Sequence, residues 1–155
     1  MAILANAISS SGQIASENQA GIQARNEAMV EDFIDAWDRQ DADAIFAACS
    51  PDIVYGNGPL KDIVGLKALR DYFNPVLNAA KKIEFRVSKL VAAGQVVTVE
   101  RVDYITLGDK TYAVAVAGFI SIDETSKIIE WRDYFDTQSW YDQGGPPLES
   151  AADKQ

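Results

Sequence analysis

The residues that invite a chemical reading are ionisable side chains placed on otherwise apolar strand faces. In Ile128-Ile-Glu-Trp-Arg-Asp-Tyr-Phe-Asp136, a period of two puts Ile129, Trp131, Asp133 and Phe135 on one face and Glu130, Arg132, Tyr134 and Asp136 on the other. The first face is apolar except for Asp133. Burying an unpaired carboxylate is so costly that such groups are paired, neutralised or set in a functional cavity. The stretch from Val96 to Leu107 repeats the pattern: Val97, Val99, Arg101, Asp103 and Ile105 share a face, opposite Thr98, Glu100, Val102, Tyr104 and Thr106. Arginine is the natural bridge between two carboxylates, because its planar fork of donors stays charged when buried. Provided the two strands face one cavity, Asp103, Arg101 and Asp133 form one cluster.

One guanidinium between two carboxylates leaves a negative charge over, so the pair can hold a shared proton. Burial and mutual repulsion raise one carboxylate's pKa while arginine lowers the other's. The result is an acid beside a base near neutral pH, which suits push–pull addition of water to a strained, uncharged bond such as an epoxide. Tyr55 and Asn57, two apart in Ile53-Val-Tyr-Gly-Asn-Gly-Pro59, are available to hold the water if the strand there persists. Positioned proton transfer supplies roughly 10²–10⁴-fold in rate, which a ring already under strain can make sufficient. The plainer reading is a satisfied ion pair, with Tyr55 and Asn57 as turn residues and Trp131 and Phe135 as core. Against it stands the convergence of three ionisable groups on apolar faces, since an ion pair has no need of a second aspartate.

Composition narrows the field. The 155 residues suit one domain, and the net charge of −9 argues against nucleic acid or an anionic membrane surface as partner. The chain has no histidine, which removes Ser-His-Asp and Cys-His catalysis and the common zinc sites; neither a metal nor a cofactor is expected. Cys49 is the single cysteine and reads as a small buried hydrophobe. No apolar run is long enough to span a membrane, and the first basic residue is Arg25, so a secretion signal is not expected and the cytoplasm is the default.

The elements that must position these groups fall in order. Residues 1–21 read as a loosely ordered arm, 22–142 as one α+β domain and 143–155 as a polar tail. Helices are predicted over Ile22 to Gln40, Ala42 to Cys49 with Asp41 as N-cap, and Gly65 to Ala79. The last should carry Leu66, Leu69, Phe73, Val76 and Leu77 inward. Strands are predicted over Ile83 to Ala92, Val96 to Leu107, Thr111 to Ile122 and Ile128 to Thr137, joined by links short enough for antiparallel hairpins. Helices followed by strands give a strongly curved, mixed or antiparallel sheet with the N-terminal helices in its concavity and an apolar, cone-shaped pocket.

Val99-Glu-Arg-Val-Asp-Tyr-Ile105, Gly118-Phe119, Lys127 to Asp136 and Tyr55-Gly-Asn-Gly-Pro59 together resemble the limonene-1,2-epoxide hydrolase family over about Glu27 to Asp136. The resemblance implies the nuclear transport factor 2-like (cystatin-like) cone, a homodimer, and one-step hydrolysis of an epoxide to a vicinal diol with no covalent intermediate. By motif, Asp103 would protonate the epoxide oxygen and Asp133 would act as base on a water held by Tyr55 and Asn57. Arg101 would bridge the aspartates. Gly58 departs from the bulkier apolar residue expected there, which implies a wider or more mobile entrance. Strand parity and helix stripes predict a pocket wall of Ile34, Trp37, Leu77, Phe85, Ile105, Val114, Val116 and Phe135, suited to terpene-like or cyclic epoxides. Two other functions stay open on the same cone: an isomerase or dehydratase with Asp133 as base, and a non-catalytic dimer binding small hydrophobic ligands.

Overall fold

The structure, a computed structural model, describes the backbone of residues 2–148 and the side chains of residues 16–148. The elements run α1 (Ala2–Asp38), α2 (Ala42–Ala47), β1 (Cys49–Asn57), β2 (Ile63–Val64), α3 (Leu66–Ala79), β3 (Ala80–Ala93), β4 (Val96–Leu107), β5 (Lys110–Ile122), β6 (Ile128–Phe135) and α4 (Thr137–Asp142). The strands form one curved sheet in the order β2-β1-β6-β5-β4-β3. From β3 to β6 the pairing is antiparallel, as the short links predict, whereas β1 lies parallel to β6 and makes the sheet mixed. This is the expected α+β cone. Among the described residues no helix is long and apolar enough to cross a membrane.

Aromatic packing fastens the helices to the sheet. Trp37 of α1 is buried against Phe73 of α3, Phe85 of β3 and Trp131 of β6, with ring centroids 4.8, 5.6 and 5.6 Å away. Such offset and edge-on contacts add to the area that large rings remove from water. At the end of α1, the Asp38 carboxylate accepts the Phe85 backbone N–H at 2.7 Å, which fixes the helix to β3. Gln40 follows in the left-handed region (φ 53°), and its amide donates to the Leu77 and Ala80 carbonyls. Asp41 caps α2 through the Ala44 N–H, as expected. Cys49 is buried, its thiol pushed up to about 12 by burial, in keeping with a packing role.

Three expectations change. The helix predicted from Ile22 begins at Ala2, so helical backbone continues through the stretch read as a loose arm; the side chains of 1–15 lie outside the described residues. Within the supposed polar tail of 143–155, Pro146, Pro147 and Leu148 return to line the pocket, while 149–155 lie outside the described residues. In β6 the strict alternation fails at its start. Pairing moves from Ser121–Glu130 to Ile122–Ile128, which leaves Ile129 as the extra residue of a bulge. Ile128 is therefore fully buried and Ile129 is 41 % exposed, the reverse of the simple parity, while Trp131 and Asp133 keep theirs.

That bulge has a measurable consequence. Ile128→Ala is expected to cost about 2–5 kcal/mol in a denaturant titration, as for other buried large-to-small changes. Ile129→Ala should stay within about 0.5 kcal/mol of the parent, like other surface substitutions.

Candidate active site

Asp103 and Asp133 stand on strands that are not neighbours: β5 runs between β4 and β6. With strands about 4.8 Å apart, only a long side chain can link them across the intervening one. Arg101 does so. Its Nε and Nη2 donate to Asp103 Oδ1 and Oδ2 at 2.7 and 3.1 Å. Its Nη1 and Nη2 donate to Asp133 Oδ1 and Oδ2 at 3.1 and 2.8 Å. The residue of β5 beneath this bridge is Gly118, which pairs with Val99 on one side and Asp133 on the other. A Cβ there would sit 2.7 Å from Arg101 Nη1 and 2.9 Å from Asp133 Oδ1, so the crossing depends on the missing side chain. The Arg101 guanidinium also lies 4.9 Å over the Phe85 ring.

The two carboxylates are not equivalent. Asp133 accepts a third hydrogen bond, from Trp131 Nε1 at 2.9 Å, beyond the two from Arg101. Burial pushes Asp103 up to about 6 despite the opposing Arg101, with the Asp133 charge adding to the rise. Burial works against the Arg101 charge, but the two aspartates outweigh it and hold the guanidinium protonated. Burial thus makes Asp103 easier to protonate than an ordinary carboxylate. All three side chains are buried, on the apolar faces that the sequence indicated.

Tyr55 and Asn57 reach the same place through the parallel β1–β6 pairing, which sets Tyr55 beside Trp131 and Asn57 beside Asp133. The Tyr55 ring lies 4.5 Å from that of Trp131, and burial, followed by the nearby Asp133, raises its hydroxyl well above the usual tyrosine range. Asn57 Nδ2 donates to the Tyr72 hydroxyl of α3 at 3.0 Å. Gly58 has a left-handed backbone (φ 57°), and a Cβ on it would lie 2.9 Å from the Phe135 ring. Phe135 thus covers the position where a larger residue 58 would sit.

These groups line an apolar cavity of about 360 Å³. Of the predicted wall, Trp37, Phe85, Ile105, Val114, Val116 and Phe135 line it, but Ile34 and Leu77 do not. Both are buried between helix and sheet instead. On α3 the stripe Leu69, Phe73 and Leu77 faces the core, and the adjoining stripe of Tyr72, Val76 and Ala79 faces the cavity. Phe73 touches both. The remaining wall includes Ile83, Leu107, Trp131, Trp140 and the Pro146–Leu148 segment. The Trp140 ring lies tilted against Tyr112, 4.8 Å away, and donates its indole N–H to the Pro146 carbonyl at 2.7 Å, which holds that segment against the sheet. Trp131 had a signal in the sequence: a buried indole N–H needs an acceptor, and Asp133 is the polar residue next along its face. Tyr72 had none, because its partner comes from a distant strand.

The glycine crossing is testable by itself. Gly118→Ala forces Arg101 or Asp133 to move, and is expected to cost roughly 1–3 kcal/mol in urea denaturation, as overpacking does. Unchanged stability would mean that the bridge does not need the space.

A model of the limonene-1,2-epoxide hydrolase catalytic domain matches residues 24–144. Epoxide hydrolase EphG of Mycobacterium tuberculosis is 29% identical over 112 residues, 72% of this chain and 74% of that protein. A solved LEH-like epoxide hydrolase of M. tuberculosis superposes with a TM-score of 0.71 at 26% identity, over 78% of this chain and 90% of the other. A putative polyketide cyclase from Xanthomonas campestris shares the fold at 19% identity, with a TM-score of 0.70 over 78% of this chain and 97% of its own. With the match spanning both aspartate-bearing strands and β1, this chain belongs to the limonene-1,2-epoxide hydrolase family.

Proposed function

We propose that the protein is an epoxide hydrolase that adds water to an apolar, terpene-like or cyclic epoxide in one acid–base step. The observation that carries this reading is the pair of inequivalent carboxylates on one buried guanidinium at the wall of an apolar cavity. Asp103, protonated, donates to the epoxide oxygen as its C–O bond breaks. Asp133, ionised, takes a proton from a water held beside it by Tyr55 and Asn57 as the water oxygen bonds to carbon. The product is a vicinal diol. Asp103 is left ionised and Asp133 protonated, and exchange with solvent returns the proton to Asp103. Arg101 keeps the two carboxylates in contact and bears their alternating charge, so the net charge of the site is the same before and after. Tyr55 stays a neutral hydroxyl throughout, since burial disfavours its anion. The cavity's aromatic and aliphatic wall favours an uncharged substrate and limits bulk water near the reacting carbon.

Diol formation over a panel of terpene, cyclic and aromatic epoxides tests the reaction class. In heavy-oxygen water one solvent oxygen should enter each diol; a product of unchanged oxygen content would indicate isomerisation instead. Asp103→Asn and Asp133→Asn should each lower kcat at least about 100-fold, as loss of a positioned proton-transfer group does, with the fold intact by circular dichroism. The acid must be protonated, so activity is lost as pH rises through its pKa. The alkaline limb of kcat/KM should therefore centre near 6. In kcat it should lie higher, because bound apolar substrate removes more water from Asp103. A homodimer belongs to the same reading on the family resemblance, and an elution volume for one 16.9 kDa chain would remove it.

A further inference from the structure

Asn57 lies beside Asp133 across the β1–β6 pairing and faces the cavity. A primary amide has two ends of nearly equal size and opposite character, and what one end meets depends on what holds the other. Turned with its NH₂ toward Asp133, Asn57 would donate to that carboxylate, weaken it as a base and occupy the place of a water. The structure has the NH₂ turned the other way, with Nδ2 donating to the Tyr72 hydroxyl at 3.0 Å. Tyr72 is well suited to that task. It sits in the middle of α3 rather than on a loop. Its ring is braced edge-on against Phe73 at 4.9 Å and lies 6.2 Å from Tyr55.

We propose that Tyr72 is a positioning residue for the hydrolytic water: its hydroxyl holds the Asn57 amide so that the carbonyl oxygen, not the NH₂, faces the water beside Asp133. The water then gives one proton to Asp133 and directs the other to the Asn57 carbonyl, which aims its remaining electrons at the epoxide carbon. Burial raises the Tyr72 pKa and keeps the hydroxyl neutral, so it serves as acceptor without bringing a charge into the pocket. This role rests on the hydrolase reading given above.

Tyr72→Phe removes the hydroxyl and keeps the ring. With an epoxide that the parent hydrolyses, kcat should fall roughly 10-fold, the scale of one lost orienting hydrogen bond, with KM changed less than about 2-fold. In an Asn57→Ala background the same change should cost less than about 2-fold more, because the group it orients is gone. A Tyr72→Phe variant with parental kcat, or one whose loss multiplies with that of Asn57→Ala, would overturn the assignment. A second readout needs no variant at Tyr72. The ¹⁵N side-chain amide of Asn57, identified through Asn57→Ala, should exchange more slowly with solvent than those of exposed asparagines. Exchange as fast as theirs overturns the proposal too. Asp103→Asn is assayed in parallel. If it stays fully active, the hydrolase mechanism and the Tyr72 role fall together; if it is inactive while Tyr72→Phe is not, the Tyr72 role alone falls.

Discussion

The geometry of this protein turns on one guanidinium that has to reach over a strand. Asp103 and Asp133 belong to β4 and β6, and β5 separates them. An arginine spans that gap, and a glycine on the middle strand leaves the room. The choice of arginine follows from its charge and shape together. Lysine has the length but presents a single ammonium, whereas the fork of Arg101 makes two contacts to each carboxylate and stays protonated despite burial. Removing either aspartate would leave a buried charge less compensated, which is why such clusters are costly to break even when their net contribution to stability is small.

The inequivalence of the carboxylates comes from what surrounds them. Trp131, on the same face of β6 two residues earlier, adds a donor to Asp133, while among the described residues Asp103 receives its two contacts from Arg101 alone. Burial outweighs those two contacts and raises the Asp103 pKa. Trp131 also packs on Tyr55, Phe33, Trp37 and Phe73, so the same ring holds the helices to the sheet and donates to the Asp133 carboxylate. Packing and chemistry share their atoms here, and a substitution at Trp131 would disturb both.

The helices supply the far wall of the cavity, and their contribution comes from stripes rather than single positions. Trp37 from α1 and the Tyr72, Val76 and Ala79 stripe of α3 close one side; Trp140 and the Pro146–Leu148 segment close another. The turn that leads into that segment is pinned by hydrogen bonds as well. The Gln143 side chain bonds both the N–H and the C=O of Ala113 on β5, at 2.9 and 2.8 Å.

Alternation along β4 and β6 was enough to single out Arg101, Asp103 and Asp133, because period-two faces are a local property and a charge on an apolar face is visible without coordinates. The same is true of the four long strands, their hairpin links and the Asp41 cap. The sequence by itself also determined what the chain cannot use, since a chain without histidine must move protons through other groups. It did not reveal the bulge at Ile129, because alternation cannot tell which residue a strand will leave out of its ladder. Nor could it separate Leu77 from Val76, neighbours on one helix of which one faces core and the other cavity. Which residues meet across elements was decided only by tertiary structure: the parallel β1–β6 register that brings Asn57 to Asp133, the Tyr72 hydroxyl arriving from α3, and the Phe135 ring over Gly58. The physical reason is that side-chain direction is set by nearest neighbours in the chain, while contact between elements is set by how whole faces pack.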